Sequence, residues 1–355
     1  MNLKKIIGIV LIAAIMGTGC NAKDLKVEPA ENKSVETVDI AGISGSETTE
    51  TEEKVLVPFE YNPHLYSPKM SERIPQDYWD SFYNLCDALR AGESVFECSS
   101  VDAYIWCMDA SVLCNLFPAA GMWVDGEFND GTVSYEDGIG RIHYNMPVDE
   151  FVKRQADFEV LIEDILNSNI ESDDTDYEKA LKLYLYMADN YTYVDGVSDE
   201  DNYVYRTFIV KEGMCVNFAS AYAFLLMQAG IDALSVNIYE PDMCHSWTYV
   251  IIDGEGYHVD ATWALKSNYD GVDRIYLDYF LMSDEEREKD GCSVHDLTVT
   301  LLPEYWVSKT DMTFQATDDH YNVRDYCSFV SLDEDNKMIY YVDLYSEMHE
   351  FYYGE

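Results

Sequence analysis

The chain has 355 residues, in which 67 Asp and Glu stand against 23 Lys and Arg, for a formal net charge of −44. A surface so acidic repels phosphate backbones and anionic headgroups, so nucleic-acid binding is excluded as a main role. The charge itself reads as a solubility feature, and nothing in the composition calls for a cofactor or a resident metal.

At the N-terminus Lys4 and Lys5 precede an apolar run from Ile6 to Met16, followed by Gly17-Thr18-Gly19-Cys20. Residues 1–20 thus have the pattern of a lipoprotein signal peptide: a basic start, a short apolar stretch, and small residues before a cysteine. Cys20 is the expected lipidation site. Gly17 stands where leucine is usual, which leaves an ordinary secretory signal as the alternative. No later apolar run is long enough to span a bilayer. The expected location is therefore the outer face of the bacterial cell membrane, with acyl chains as the anchor. Residues 21–57 are acidic and poor in apolar side chains (SGSETTETEEK), and they are expected to form a disordered tether.

Residues 58–170 read as an N-terminal α/β satellite region. Tyr78, Phe82, Leu85 and Leu89 recur at helical spacing across Asp77 to Ala91, and Phe151 to Leu166 is helical again. Ser99 to Leu116 is mixed and cysteine-rich. Met122 to Tyr144 alternates aromatic residues, broken by Asp-Gly pairs at 125, 130 and 137, which predict hairpins. In the segment 171–300, Thr175-Asp-Tyr-Glu178 is a capping box that opens a helix with Tyr177, Leu181, Tyr184 and Ala188 on one face. Residues 301–355 read as a β-rich C-terminal segment with a hairpin across Asp333 to Asn336. Its tyrosines (Tyr340, Tyr341, Tyr345, Tyr352, Tyr353) suit strand core and edge, with a carbohydrate-binding face as the alternative.

The residues with chemistry gather between Lys211 and Trp263. Gly213 breaks the preceding segment, and after Cys215 the residues Phe218, Tyr222, Leu225 and Ala229 recur at helical spacing, with Gly230 at the C-cap. Cys215 therefore heads a helix, where the dipole and unpaired N–H groups favour a thiolate. Leu234, Val236 and Ile238 alternate as a strand. His245 to Ile252 alternates too, Asp253-Gly254 is a two-residue turn, and Tyr257 to Asp260 returns. A cysteine nucleophile needs a base, and the base needs a group that fixes its tautomer. His245 and Asp260 lie on the two arms of this hairpin.

The pieces GMC, NFASAYAFLLMQAGI and HSWTYVIIDGEGYHVDATW resemble the transglutaminase-like superfamily, which has a papain-like core. Ala261 replaces the usual proline and Ser246 the usual alanine; neither change removes a reacting group. The resemblance covers Thr175 to Glu286, including NYTYVDG and YLDYFLMSDEERE. It implies an α+β fold with a cysteine-bearing helix packed on an antiparallel sheet. It also implies Cys215 as nucleophile, His245 as base and Asp260 as orienter, acting on peptide or carboxamide bonds through a thioester. The substrates then expected are peptides, proteins or cell-wall peptides. The alternatives are a non-catalytic surface lipoprotein that binds peptide or glycan in the same groove, and a metal-dependent hydrolase.

Counting sets the hairpin geometry. With a two-residue turn, Ile252 opposes Glu255 and Asp260 opposes Trp247, on the same face. His245 is then a diagonal neighbour of Asp260, about 7–8 Å away between backbones and within side-chain reach. His258 shares the face, so parity does not exclude it as the base; the family pattern favours His245. The cysteines other than Cys20 and Cys215 are Cys86, Cys98, Cys107, Cys114, Cys244, Cys292 and Cys327, and their spacing implies no disulfide framework. A zinc site from Cys215, Cys244, His245 and His258 is disfavoured, because adjacent strand residues point to opposite faces. The pairs Asp173-Asp174 and Asp318-Asp319 could hold calcium, but neither lies in an EF-hand loop.

Overall fold

The computed structural model describes residues 56–126, 134–196, 204–240, 243–266, 274–299, 312–321 and 323–354. The expected signal peptide, nearly all of the tether and the Asp-Gly pair at 130 lie outside these residues. Among the described residues no helix is long and apolar enough to cross a membrane.

Helix α1 (Gln76–Ala91) buries Trp79, Phe82, Leu85 and Leu89, as its period requires. Strand β1 (Val95–Glu97) follows. The cysteine-rich stretch forms two short helices, α2 (Val101–Cys107) and α3 (Ala110–Leu116), each started by a side-chain cap, Ser100 and Asp109 respectively. Four short strands come next: β2 (Val124–Asp125), β3 (Tyr135–Glu136), β4 (Ile139–Arg141) and β5 (His143–Tyr144). Asp137-Gly138 forms the expected two-residue hairpin turn, since Glu136 pairs with Ile139. Helix α4 (Val148–Asn169) is longer at both ends than the apolar period alone predicts. Asp149 and Glu150 in its first turn complement the helix dipole and favour its start ahead of Phe151, the first buried residue.

Helix α5 (Asp176–Asn190) starts at the predicted capping box: the Thr175 hydroxyl accepts from the Glu178 N–H and the Glu178 carboxylate accepts from the Thr175 N–H. Strand β6 (Thr192–Tyr193), helix α6 (Val204–Val210) and strand β7 (Glu212–Gly213) lead to α7 (Cys215–Gln228), with β6 and β7 paired in parallel. Helix α7 is the centre of the molecule, and every residue from Asn217 to Gln228 is buried. The expected apolar stripe is only part of its packing: α5 and α6 cover one side, and the strands β8 (Ala233–Glu240) and β9 (Met243–Ile252) cover another. The chain then forms β10 (Glu255–Val259), α8 (Asp284–Lys289) and β11 (Thr298–Val299), and the antiparallel sheet has the order β10-β9-β8-β11. This is the α+β arrangement expected from the sequence, a cysteine-bearing helix on an antiparallel sheet.

The C-terminal segment is a three-stranded meander, β12 (Ser328–Asp333), β13 (Met338–Val342) and β14 (Met348–Tyr352), with the predicted hairpin between its first two strands. The meander is fastened to α5. The Tyr353 ring stacks on Tyr177 at 4.6 Å, and the Tyr353 hydroxyl and Lys337 ammonium both bond the Glu178 carboxylate. Tyr353 is core, whereas Tyr345 and Tyr352 are exposed. One hydrophobic core runs from Tyr61 in the satellite region to Tyr353.

Candidate active site

The hairpin between β9 and β10 sets the site. Asp253 and Gly254 both have positive φ, 53° and 85°, the conformation of a type I′ turn, which glycine adopts without strain. Ile252 therefore opposes Glu255, and the ladder ends with Thr248 opposite Val259. Asp260 is the next residue, and its N–H donates to the Tyr279 carbonyl at 2.9 Å. This register brings together the two side chains that counting placed as diagonal neighbours. The His245 Nε2 and Asp260 Oδ2 atoms are 2.6 Å apart, and both side chains are wholly buried.

The Asp260 carboxylate has four donors. Its Oδ1 accepts from the Thr262 and Trp263 N–H groups at 3.0 and 3.1 Å. Its Oδ2 accepts from His245 and also from Arg287 Nη2 at 2.8 Å. Burial pushes this carboxyl up, but the His245 and Arg287 charges and these hydrogen bonds outweigh it and hold it below the usual carboxylate range. The Arg287 guanidinium lies over Trp247 at 4.4 Å and over Trp263 at 4.5 Å. Trp263 also stacks on the His245 ring, with centroids 5.0 Å apart. Arg287 escaped the sequence reading. It lies in SDEERE, which reads as an exposed acidic helix start, and no local pattern ties it to an aspartate 27 positions earlier.

Cys215 is the first residue of α7 and is half-buried. Met214 before it offers no side-chain oxygen to the first N–H groups, which leaves the helix start electropositive. The entry is tight: a Cβ on Gly213 would lie 2.6 Å from the Asn217 Cβ, so only glycine fits. Asn217 accepts from the Met214 N–H at 2.9 Å and fixes this turn. One turn further along, the Thr248 hydroxyl donates to the Ala219 carbonyl at 2.8 Å, which pins α7 against β9. The Tyr239 phenol, on β8 opposite Cys244, is within electrostatic reach of both the Cys244 and Cys215 thiols. Cys215 thus sits at the end of the sheet where β8 finishes and β9 begins, the end that carries His245.

His258 has other partners. The Trp247 indole N–H donates to its Nδ1 at 2.9 Å, and its Nε2 faces the Asp284 carboxylate at 2.9 Å. Burial lowers its affinity for a proton, so the ring is neutral with both nitrogens engaged. It has no nitrogen left for a thiol or an ion. Cys244 is exposed whereas His245 is buried, as opposite strand faces require. The eight cysteines among the described residues are all unbridged. Of the acids in the two candidate calcium pairs, Asp174 pairs with Lys182 and Asp318 accepts from the Tyr257 hydroxyl.

A cysteine heading a buried helix, with a histidine and an aspartate bonded on the adjoining sheet, is an arrangement that thiol chemistry can use. Residues 164–261 match the family model of the transglutaminase-like superfamily, and that match suggests cysteine peptidase or acyltransferase chemistry. The match starts inside α4 and ends just past Asp260, so it includes Cys215, His245 and Asp260. Two solved structures are similar to part of the chain. One is a cysteine-protease candidate from Cytophaga hutchinsonii, at 22% identity over 25% of this chain and 32% of that one, with a TM-score of 0.23. The other is a TGase, at 20% identity over 31% of this chain and 32% of that one, with a TM-score of 0.27. The chain thus spans about a third of the length of each. No curated protein matches the chain.

Proposed function

We propose that this protein is a membrane-anchored, extracytoplasmic cysteine enzyme that opens peptide or carboxamide bonds through a thioester on Cys215. The observation that carries this reading is the buried His245–Asp260 pair, 2.6 Å apart, at the end of the sheet where Cys215 heads α7. With Nε2 committed to Asp260, Nδ1 is the ring nitrogen that serves the thiol. His245 takes the thiol proton, and the thiolate attacks the substrate carbonyl carbon. The oxyanion of the tetrahedral intermediate is met by the backbone N–H at the start of α7. The His245 imidazolium then protonates the leaving amine, the C–N bond breaks and the thioester remains. Attack by water completes a protease or amidase cycle, and attack by an amine completes a transglutaminase cycle. Anchoring through Cys20 suits surface proteins and cell-wall peptides as substrates.

The test is covalent. A thiol-reactive probe near neutral pH, followed by peptide mapping, should label Cys215 ahead of the exposed Cys244. Cys215→Ala should abolish amide hydrolysis and transamidation with an unchanged melting curve. Preferential labelling of Cys244, or activity that survives Cys215→Ala, would defeat the mechanism.

A further inference from the structure

We infer that Arg287 is a positioning residue of this site: its buried cation shares the Asp260 oxygen with His245 and so sets how tightly the His245 ring holds its proton. The inference rests on the triad reading above. Arg287 is 0% exposed, and its directional polar contact is the 2.8 Å bond to Asp260 Oδ2. Its Nε and Nη1 have no hydrogen-bond partner among the described residues, and Nη1 lies 3.9 Å from the Asp290 carboxylate. Two indole faces close around the guanidinium, which excludes water from the pair. A buried ion pair gains little over apolar packing of the same volume, so stability alone does not account for this arrangement.

The electrostatic consequence follows from the shared oxygen. An Asp260 carboxylate facing His245 alone would stabilise the imidazolium strongly and leave a poor base. With a permanent cation at 2.8 Å on the same oxygen, the field at the ring is largely cancelled. The other groups facing His245 do not replace that cation. On its own face of the hairpin there is the neutral His258, which is bonded to Asp284 at the start of α8; Asp290, just after α8, is paired with Arg324; Cys244 and Tyr239 lie on the opposite face of the sheet, and Cys215 is the thiol that the ring is proposed to serve. Arg287 is the cation bonded to the oxygen that His245 shares.

The test uses the full chain and needs no substrate. The rate of Cys215 alkylation by iodoacetamide is measured against pH for the unmutated protein and for Arg287→Met, Arg287→Gln and Arg287→Lys. Two inflections are expected: thiolate formation and, above it, loss of the imidazolium proton. In the two neutral variants the upper inflection should rise by about two to two and a half pH units, as expected for removing a unit charge ~5 Å away at an effective dielectric constant of ~20. Arg287→Lys should keep it near the unmutated value. An unshifted upper inflection in folded neutral variants would overturn the role of Arg287 alone. Failure of both neutral variants to fold, with Arg287→Lys folded, would make the residue structural and would also overturn it. A single ordinary-thiol inflection in the unmutated protein would defeat the triad reading itself, and this role with it.

Discussion

Asp260→Asn removes one charge and almost no volume, so its cost can be worked from the four donors around the carboxylate. The amide oxygen can keep the Thr262 and Trp263 N–H bonds, but the amide NH2 must then face His245 and Arg287, where a second acceptor is needed. Arg287 is left buried, with Asp290 at 3.9 Å as its remaining counter-charge. Removing one partner of a buried pair costs about 3–5 kcal/mol, a large share of a typical total of about 5–15 kcal/mol. The melting temperature should fall by about 4–8 °C for a chain of this size. Removing both charges in Asp260→Asn/Arg287→Met should be milder than the two single losses combined, by at least about 2 kcal/mol. Urea unfolding of the four proteins measures that coupling, and single losses that add to within about 0.5 kcal/mol would refute the account. The pH dependence has a definite sign. Asp260 titrates below its ordinary value, so its stabilisation is complete above the usual carboxylate range and is lost as pH falls through the folded value. The deficit of the variant should therefore shrink only below about pH 4. Activity should fall by about three to four orders of magnitude, because an amide donating to Nε2 forces the proton onto Nδ1, the nitrogen meant to accept from the thiol.

Cys20→Ala should move the protein from the membrane fraction to soluble or uncleaved forms; unchanged membrane association without an acyl group by mass spectrometry would rule out the anchor. Deleting residues 21–53, whose composition suits no packed core, should leave the melting temperature nearly unchanged, and a large drop would mean that they pack. Glu178→Gln should loosen the C-terminal meander. Burial raises the Glu178 carboxyl, but Lys337, Tyr353 and Thr175 outweigh this and pull it down to about 2. Its contribution is fully present above pH ~4.5 and is lost as pH falls towards 2. A Gln variant that melts like the unmutated protein at pH 7 would refute the latch.

What was legible in the sequence was local. The capping box at Thr175, the faces of α1 and α5, the two Asp-Gly turns and the register of β9 with β10 each depend on residues within a few positions of one another. The long-range joins were not legible. Tyr353 reaches Glu178 across 175 positions, and Arg287 reaches Asp260 across 27, and no periodicity encodes either contact. The full burial of α7 was half visible. Its apolar spacing marked one face, but the other faces are covered by α5, α6 and the sheet, which a helical period cannot report. At Ala219 the helix lies close enough to β9 for its carbonyl to accept from the Thr248 hydroxyl.

The choice between His245 and His258 shows where parity stops and chemistry takes over. Both rings lie on the same face of the same hairpin, so counting could not separate them. The indole of Trp247 can only donate a hydrogen bond, and it meets Nδ1 of His258 at 2.9 Å. That forces Nδ1 to accept, puts the proton on Nε2, and aims it at Asp284. His245 meets Asp260 through Nε2 instead, with Trp263 stacked on its ring. A tryptophan two residues after the candidate base thus disqualifies its rival. Trp247→Phe should free Nδ1 of His258, and NMR of the imidazole nitrogens would then show its tautomers mixing. An unchanged tautomer in that variant would mean that Asp284 alone fixes the ring and that the indole plays no part in the choice.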